Sequence, residues 1–340
     1  MSFRTLTAIG FCAGLKIFWQ TGAFMTQRQR IPSKYFPWIF FWLALSGPVL
    51  GWMGRWFWFF DLFSHFRLQQ VGFLVLSLPF FALWRKRVLF AATLLMILLA
   101  GTPLVAYVPG SVPLPEGAPV SSPVRVTYAN VNVANVDYDT IAAVLLRDNP
   151  DVLVISEIST PLYEALRPYL KEYLFQKVVP RNDCFGLGVF SRVPAVSMDV
   201  RYLGEAPVPS IRCVMPQGAK EWVLWATHPT PPMSRKGWAW RNGQLKSLVR
   251  EIGGDSRPSL VAGDLNMAPW CPWFGMFSAV GLKDSARGKG AVPTWPFYVP
   301  AFMRIPLDHI LVSQEISVIQ RDVLSLPGSD HRAVSVIIGL

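Results

Sequence analysis

Val261-Ala262-Gly263-Asp264-Leu265-Asn266 reads as a buried strand that ends in Gly-Asp-x-Asn. A carboxylate and a carboxamide two residues apart, just past such a strand, project to the same side of a rigid rim. Three similar stops recur. Val152-Leu153-Val154-Ile155-Ser156 runs into Glu157, Trp222-Val223-Leu224-Trp225-Ala226-Thr227 runs into His228, and Asp330-His331 stands just ahead of the apolar run 333–338. Chemistry carried at the ends of rigid strands is how an α/β or layered β fold builds a hydrolytic site.

The rest of 124–340 fits that frame. Further strands are expected at 124–129, 186–191, 210–215, 259–262, 308–312 and 332–338. One helix follows an Asp137 or Asp139 cap and carries Ile141, Val144 and Leu145 on one face. A second spans roughly 160–173. A third carries Trp240, Leu245, Leu248, Val249 and Ile252 and stops at Gly253-Gly254, a C-cap signal. Many strands with few helices predict two packed sheets flanked by helices.

The chain is too apolar to consist of that domain alone. Of its 340 residues 52% are hydrophobic, with a mean hydropathy of +0.33. The excess lies in the first third, where 36–54, 68–84 and 88–108 carry no charge over nineteen, seventeen and twenty-one residues. Their lengths approach the roughly 20 residues of a membrane-spanning helix, and they lack the alternating faces of soluble helices. Three transmembrane helices are therefore expected, rather than buried helices of a soluble core. Arg4, Lys16, Arg28, Arg30 and Lys34 precede the first, and Arg85-Lys86-Arg87 separates the second from the third. Only Arg55 and Arg67 occupy the loop between the first two. Both basic clusters lie inside if the N-terminus is inside, which leaves the C-terminal domain outside. The expected organisation is an N-terminal cytoplasmic segment (1–35), a membrane region (36–108), a Pro/Gly/Ser-rich linker (109–123) and a domain (124–340). The first segment reads equally as a tail, an interfacial helix, or sequence ahead of a true start at Met25.

The net charge of +11 dissolves when divided. Residues 1–122 hold ten Lys/Arg against Asp61 and Glu116, so most of the excess is topological and says little about nucleic acid. Cys12, Cys184, Cys213 and Cys271 contain no C-x-x-C pair, which favours free, buried thiols over a zinc site.

Taken singly the strand-end residues are weak evidence. A lone Asp after a strand is most often a turn or cap, and His228 before Pro229 fits a loop histidine. Their order carries more. Asn130, Glu157 in Pro-Asp-Val-Leu-Val-Ile-Ser-Glu, Gly188-Val189-Phe190-Ser191-Arg192, His228, Gly263-Asp264-Leu265-Asn266, Asp308 and Ser329-Asp330-His331-Arg332 together resemble the endonuclease/exonuclease/phosphatase superfamily. The apolar third, with Asp61-Leu62-Phe63-Ser64-His65-Phe66-Arg67 ahead of the second span, resembles a bacterial, membrane-anchored branch with three spans.

The resemblance implies a four-layer α/β sandwich of Mg²⁺-dependent phosphoesterases, with Mn²⁺ a substitute. It implies Glu157 as principal metal ligand, supported by Asn130 and Asp330; hard oxygen donors suit these ions better than zinc. It implies that Asp264, steadied by Asn266, orients or deprotonates the attacking water. His331 paired with Asp308 binds phosphoryl oxygens or acts as the base, and His228 serves the leaving oxygen. Asn132 and Arg241 are candidates for substrate binding. Position 132 is Asn where DNA-repair members commonly place Asp, which weakens an abasic-site endonuclease reading. Trp238, Trp240, Trp270, Trp273 and Trp295 should surround the cleft, where they stack on bases, dip into a lipid interface, or simply pack long loops. The implied function is a membrane-anchored phosphodiesterase on the outer side of a bacterial inner membrane, either nuclease-like or acting on phospholipid head groups. The rival is a non-catalytic receptor for phosphorylated ligands.

Overall fold

Two six-stranded mixed sheets lie face to face in the computed structural model, which describes residues 35–110, 123–218 and 220–340. The first sheet is built from β1 (Val124–Asn130), β2 (Val152–Ser156), β3 (Phe175–Val179), β4 (Leu187–Ser191), β11 (Ser317–Ser325) and β12 (Arg332–Gly339), in the order β11-β12-β1-β2-β4-β3. The second contains β5 (Ser197–Tyr202), β6 (Pro209–Gln217), β7 (Lys220–Thr227), β8 (Ser259–Asp264), β9 (Lys283–Asp284) and β10 (Asp308–Val312), in the order β5-β6-β7-β8-β10-β9. Each sheet has one parallel pair at its centre, β1 with β2 and β7 with β8, and antiparallel neighbours elsewhere.

Side-chain alternation fills three apolar layers. Val152, Val154, Leu224, Ala226, Leu260 and Ala262 meet between the sheets. Leu153 and Ile155 point outward beneath α5 (Tyr138–Leu146) and α6 (Thr160–Leu166). Val223, Trp225 and Val261 point outward beneath α7 (Arg235–Gly253), meeting its Leu245, Leu248 and Ile252. Strands covered on both faces read as continuous apolar runs, which is why they were visible in the sequence. The expected α/β sandwich of two sheets flanked by helices is present. Asp137 caps α5 by accepting from the Thr140 amide, and Gly254 follows the end of α7. The second helix is shorter than expected and ends at Leu166.

The apolar third forms α1 (Phe36–Trp52), α2 (Trp58–Ser64), α3 (Arg67–Leu83) and α4 (Arg87–Val105). Of the three spans expected here, the described residues show one candidate, or two if a bent pair is counted as one span. Among the described residues only α4, with 19 residues, is long and apolar enough to cross a membrane by itself. At about 1.5 Å per residue a 17-residue helix covers roughly 26 Å, short of a hydrocarbon core of roughly 30 Å; α1 and α3 have that length. α2 and α3 suffice only together, and they are bent by 63° at their junction. Residues 41–340 make up one compact unit. The N-terminal segment and the linker lie outside the described residues, all but their end positions.

Candidate active site

Strand polarity gathers the chemistry at one edge. β1, β2, β7 and β8 end there, and β10 and β12 start there, with Asp308 directly opposite Asp264 in the ladder. Asn130 closes β1, Glu157 follows β2, His228 follows β7, Asp264 closes β8, and Asp330-His331 lead into β12. The turns leaving these strands are sharp: Asn132, Glu157 and Asn266 all have positive φ, at 60°, 62° and 49°. For Glu157 this is an uncommon conformation, of the kind that clusters at functional sites.

Asp264 lies at the centre and is buried. Its Oδ1 accepts from the Asn266 amide at 2.9 Å, while its Oδ2 faces His228 Nε2 at 3.5 Å, His331 Nε2 at 3.7 Å and Asn130 Nδ2 at 3.4 Å. The Asn266 side chain donates to the carbonyl of Pro229 at 2.9 Å, which ties this corner to the turn after His228. Asn130 Nδ2 also donates to Glu157 Oε1 at 2.9 Å, and Glu157 Oε2 accepts from the Val133 amide at 2.9 Å. Asp330 accepts from Asn132 Nδ2 and Trp295 Nε1, both at 2.9 Å.

Charge at the site is set by burial against pairing. Burial pulls the His331 imidazole down, but Asp308, at 2.9 Å from Nδ1, together with Asp264 and Asp330 outweighs it and raises the group to about 10. His331 is thereby held as an imidazolium. Burial likewise opposes protonation of His228, and Asp264 overcomes it, so this group is raised too. Burial raises the Asp264 carboxyl, while the His228 contact and the His331 charge bring it down to about 2. Burial pushes the Asp308 carboxyl up against the opposing charge of His331.

Two donor sets suit a metal ion differently. Asp264, Asp308 and His331 converge within 4.8 Å and could hold an ion, although His331 already faces Asp308 through Nδ1 and Asp264 through Nε2. Glu157 and Asp330 are held only by neutral donors and keep free oxygen lone pairs. With Asp264 and Asp308 they make four carboxylates against two imidazoles, a surplus that a divalent cation balances. The residues therefore fit such an ion, to which Glu157 and Asp330 offer unshared oxygen lone pairs. Asn130 presents its amide nitrogen to the carboxylates and spends its oxygen on the Asn132 amide, at 3.1 Å. In this geometry its nitrogen bridges Glu157 and Asp264, and its oxygen keeps a second lone pair.

The structure thus brings together Asn130, Asn132, Glu157, His228, Asp264, Asn266, Asp308, Asp330 and His331. Arg241 is corrected. Expected at the substrate, it is wholly buried, bonded to Asp61 and to the carbonyl of Asn266. Of the tryptophans, Trp295 touches Asp330, whereas Trp270 is buried and donates to the carbonyl of His65. Trp238 packs edge-on against Trp273. Cys184 is exposed rather than buried; Cys213 and Cys271 are free and buried as expected. Sequence reading missed two supports. Thr294 Oγ1 accepts from the Leu307 and Asp308 amides, and Ser329 Oγ joins the Asn130 carbonyl to the His331 amide. Ser329 adjoins the Asp-His pair and was within reach; Thr294 lies in a loop without any periodic signal.

The same fold occurs in solved structures. A Beutenbergia cavernae endonuclease/exonuclease/phosphatase is 22% identical, with 65% of this chain and 72% of that one covered at a TM-score of 0.54. A Bacteroides vulgatus counterpart is 18% identical, covered completely over 65% of this chain at 0.55. D. rerio TDP2, complexed with a single-strand DNA product, is 14% identical, covered completely over 65% of this chain at 0.53. No curated protein matches in sequence. Residues 127–331 match the Endonuclease/Exonuclease/phosphatase family, a range that holds every strand-end residue above, with His331 at its limit, and the chain belongs to that family.

Proposed function

We propose that the protein is a membrane-anchored, divalent-metal-dependent phosphodiesterase. The observation that carries this reading is the placement of two imidazoles, His228 and His331, against one oxygen of Asp264, beside Glu157 and Asp330. Glu157 and Asp330 would hold Mg²⁺ or Mn²⁺, which when bound neutralises phosphoryl charge. Asp264, kept ionised, accepts a hydrogen bond from water and orients it for attack. Asn266 fixes the rotamer of that carboxylate through its amide. His331, kept cationic by Asp308, stabilises charge on the non-bridging oxygens, and His228 stands where it can protonate the leaving oxygen.

The membrane reading is supported by exposed apolar side chains along α1, α3 and α4, among them Leu43, Leu76, Leu83, Val88 and Leu98, each more than 60% exposed. Water-facing surfaces rarely carry such contiguous apolar faces. Three crossings, with shortened helices, would place the domain on the outer side of a bacterial inner membrane. For the substrate, the TDP2 complex with DNA supports a nucleic-acid strand. A lipid head group is supported by exposed Tyr298 and Phe302 in the loop after Trp295, where the Arg304 carbonyl accepts from Gln69 of α3.

The test is purified full-length protein with Mg²⁺ or Mn²⁺ on a diester dye, single- and double-stranded nucleic acids, and phospholipid vesicles. Asp264→Ala is expected to lose roughly 10²–10⁴-fold in kcat. Equal inactivity of both proteins on every substrate would sink the enzyme reading and favour a phosphoryl-ligand receptor.

A further inference from the structure

We propose that Asp61, in the hairpin between the first two long apolar helices, is a positioning residue for the Gly-Asp-x-Asn corner and acts through Arg241. The proposal rests on the reading of Asp264 as the group that orients water. Asp61 and Arg241 are both wholly buried, and Arg241 Nη2 lies 2.5 Å from Asp61 Oδ2. The other amino group, Nη1, donates to the carbonyl of Asn266 at 2.9 Å. Asn266 sits at positive φ, and its amide holds Asp264 Oδ1. An unbroken chain of contacts therefore runs from the apolar helices to the carboxylate that faces both imidazoles.

The pairing is obligatory on electrostatic grounds. A buried guanidinium without a counter-charge is strongly unfavourable, and among the described residues Asp61 is the one carboxylate in salt-bridge contact with Arg241. Remaining hydrogen bonds from Arg241 go to the neutral Asn242 side chain. The loop after Asn266 is fastened to the same hairpin. Trp270 Nε1 donates to the His65 carbonyl at 3.0 Å, Ser64 Oγ to Cys271 Sγ at 2.8 Å, and Arg55 Nη2 to the Pro272 carbonyl at 2.8 Å. The hairpin thus holds residues 270–272 directly and Asn266 through Arg241.

A rival reading of this cluster is a second metal site, since donor atoms of Asp61, His65 and Cys271 lie within 4.8 Å of one another, and His65 Nε2 is buried without a partner. The charges oppose it. Asp61 already faces Arg241, and the guanidinium of Arg67 is buried as well. A divalent cation here would join two guanidinium groups with a single carboxylate among them. An internal ion pair that anchors the corner fits the charge better than a cation does.

The test uses the full chain in detergent micelles, with bis(4-nitrophenyl) phosphate and Mg²⁺ or Mn²⁺. Asp61→Asn should lower kcat about tenfold with KM within twofold, because a displaced catalytic group costs turnover rather than binding. Asp61→Ala should lose more. Asp61→Ala/Arg241→Ala should be no slower than Arg241→Ala, since the carboxylate acts only through the guanidinium. Asp61→Leu/Arg241→Met, an apolar replacement of the pair, should keep the wild-type melting temperature yet lose kcat, which separates positioning from folding. Amide exchange of residues 264–268 should quicken in every variant, a readout independent of turnover. Wild-type kcat together with wild-type exchange in Asp61→Ala would overturn the proposal, as would additive losses in the double alanine variant. If the wild type itself hydrolyses nothing, the phosphodiesterase reading fails, and the exchange measurement alone decides the role of Asp61.

Discussion

Asp264 owes its aim to the glycine before it. A Cβ on residue 263 would lie 2.0 Å from the Thr227 carbonyl oxygen, so β7 and β8 approach as they do only because that side chain is missing. Gly263→Ala should therefore part the two strands that carry His228 and Asp264, at a cost of about 3 kcal/mol. Both the melting temperature and kcat should fall; an unchanged melt would mean the approach is not tight. Away from the site, Asp255 gives a pH signature. The Arg257 side chain holds its carboxyl far below the usual range, burial opposes this, and Arg212 assists. A depressed folded value contributes stability that is fully present above the unfolded value of about 4 and is lost as pH falls through the folded one. Asp255→Asn should melt lower than wild type at pH 7, and the gap should narrow steadily as pH falls from about 5 to 2. A gap that stays constant in scanning fluorimetry across this range would rule out the ion pair as its source.

Elements were legible in proportion to how completely they are buried. β2, β4, β8 and β10 are buried at every position and stood out as apolar runs. β3, β5 and most of β11 are edge strands with mixed exposure, as in Ser197-Met198-Asp199-Val200-Arg201-Tyr202, and were not anticipated. A strand that packs one face and wets the other on a twisted edge gives neither a run nor clean alternation. The site was legible for the same reason as the inner strands, because its residues terminate them. Arg241 was misread because a helix position tells which residue it is but not which face meets a neighbour 180 residues away. Packing of α7 on the second sheet is separately testable. Leu248 is fully buried in the apolar cluster that also holds Val261, Leu245 and Ile252, so Leu248→Ala should cost about 2–5 kcal/mol. Denaturant unfolding should show a lower midpoint with kcat of the surviving folded fraction preserved; loss of kcat without loss of stability would place the α7 face in the chemistry instead.

At the scale of the molecule, if the apolar helices cross a membrane as proposed, the number of crossings matters less than its parity. One crossing by α4 or three by α1, α3 and α4 both leave the domain on the side opposite the N-terminus; two would return it to the same side. On that reading the Arg85-Lys86-Arg87 cluster at the start of α4 would favour retention of that end inside, and so an outward domain. Cys184 makes this measurable. It is exposed, whereas Cys213 and Cys271 are buried and should stay silent. Partial desolvation of its sulfur and then the nearby charge of Glu157 raise the thiol to about 11, so labelling needs mildly alkaline buffer and long exposure. In intact spheroplasts a membrane-impermeant maleimide should modify Cys184, and Cys184→Ser should abolish the signal. Modification of Cys184 that appears only on lysis would put the domain inside, and with it would go every extracytoplasmic substrate.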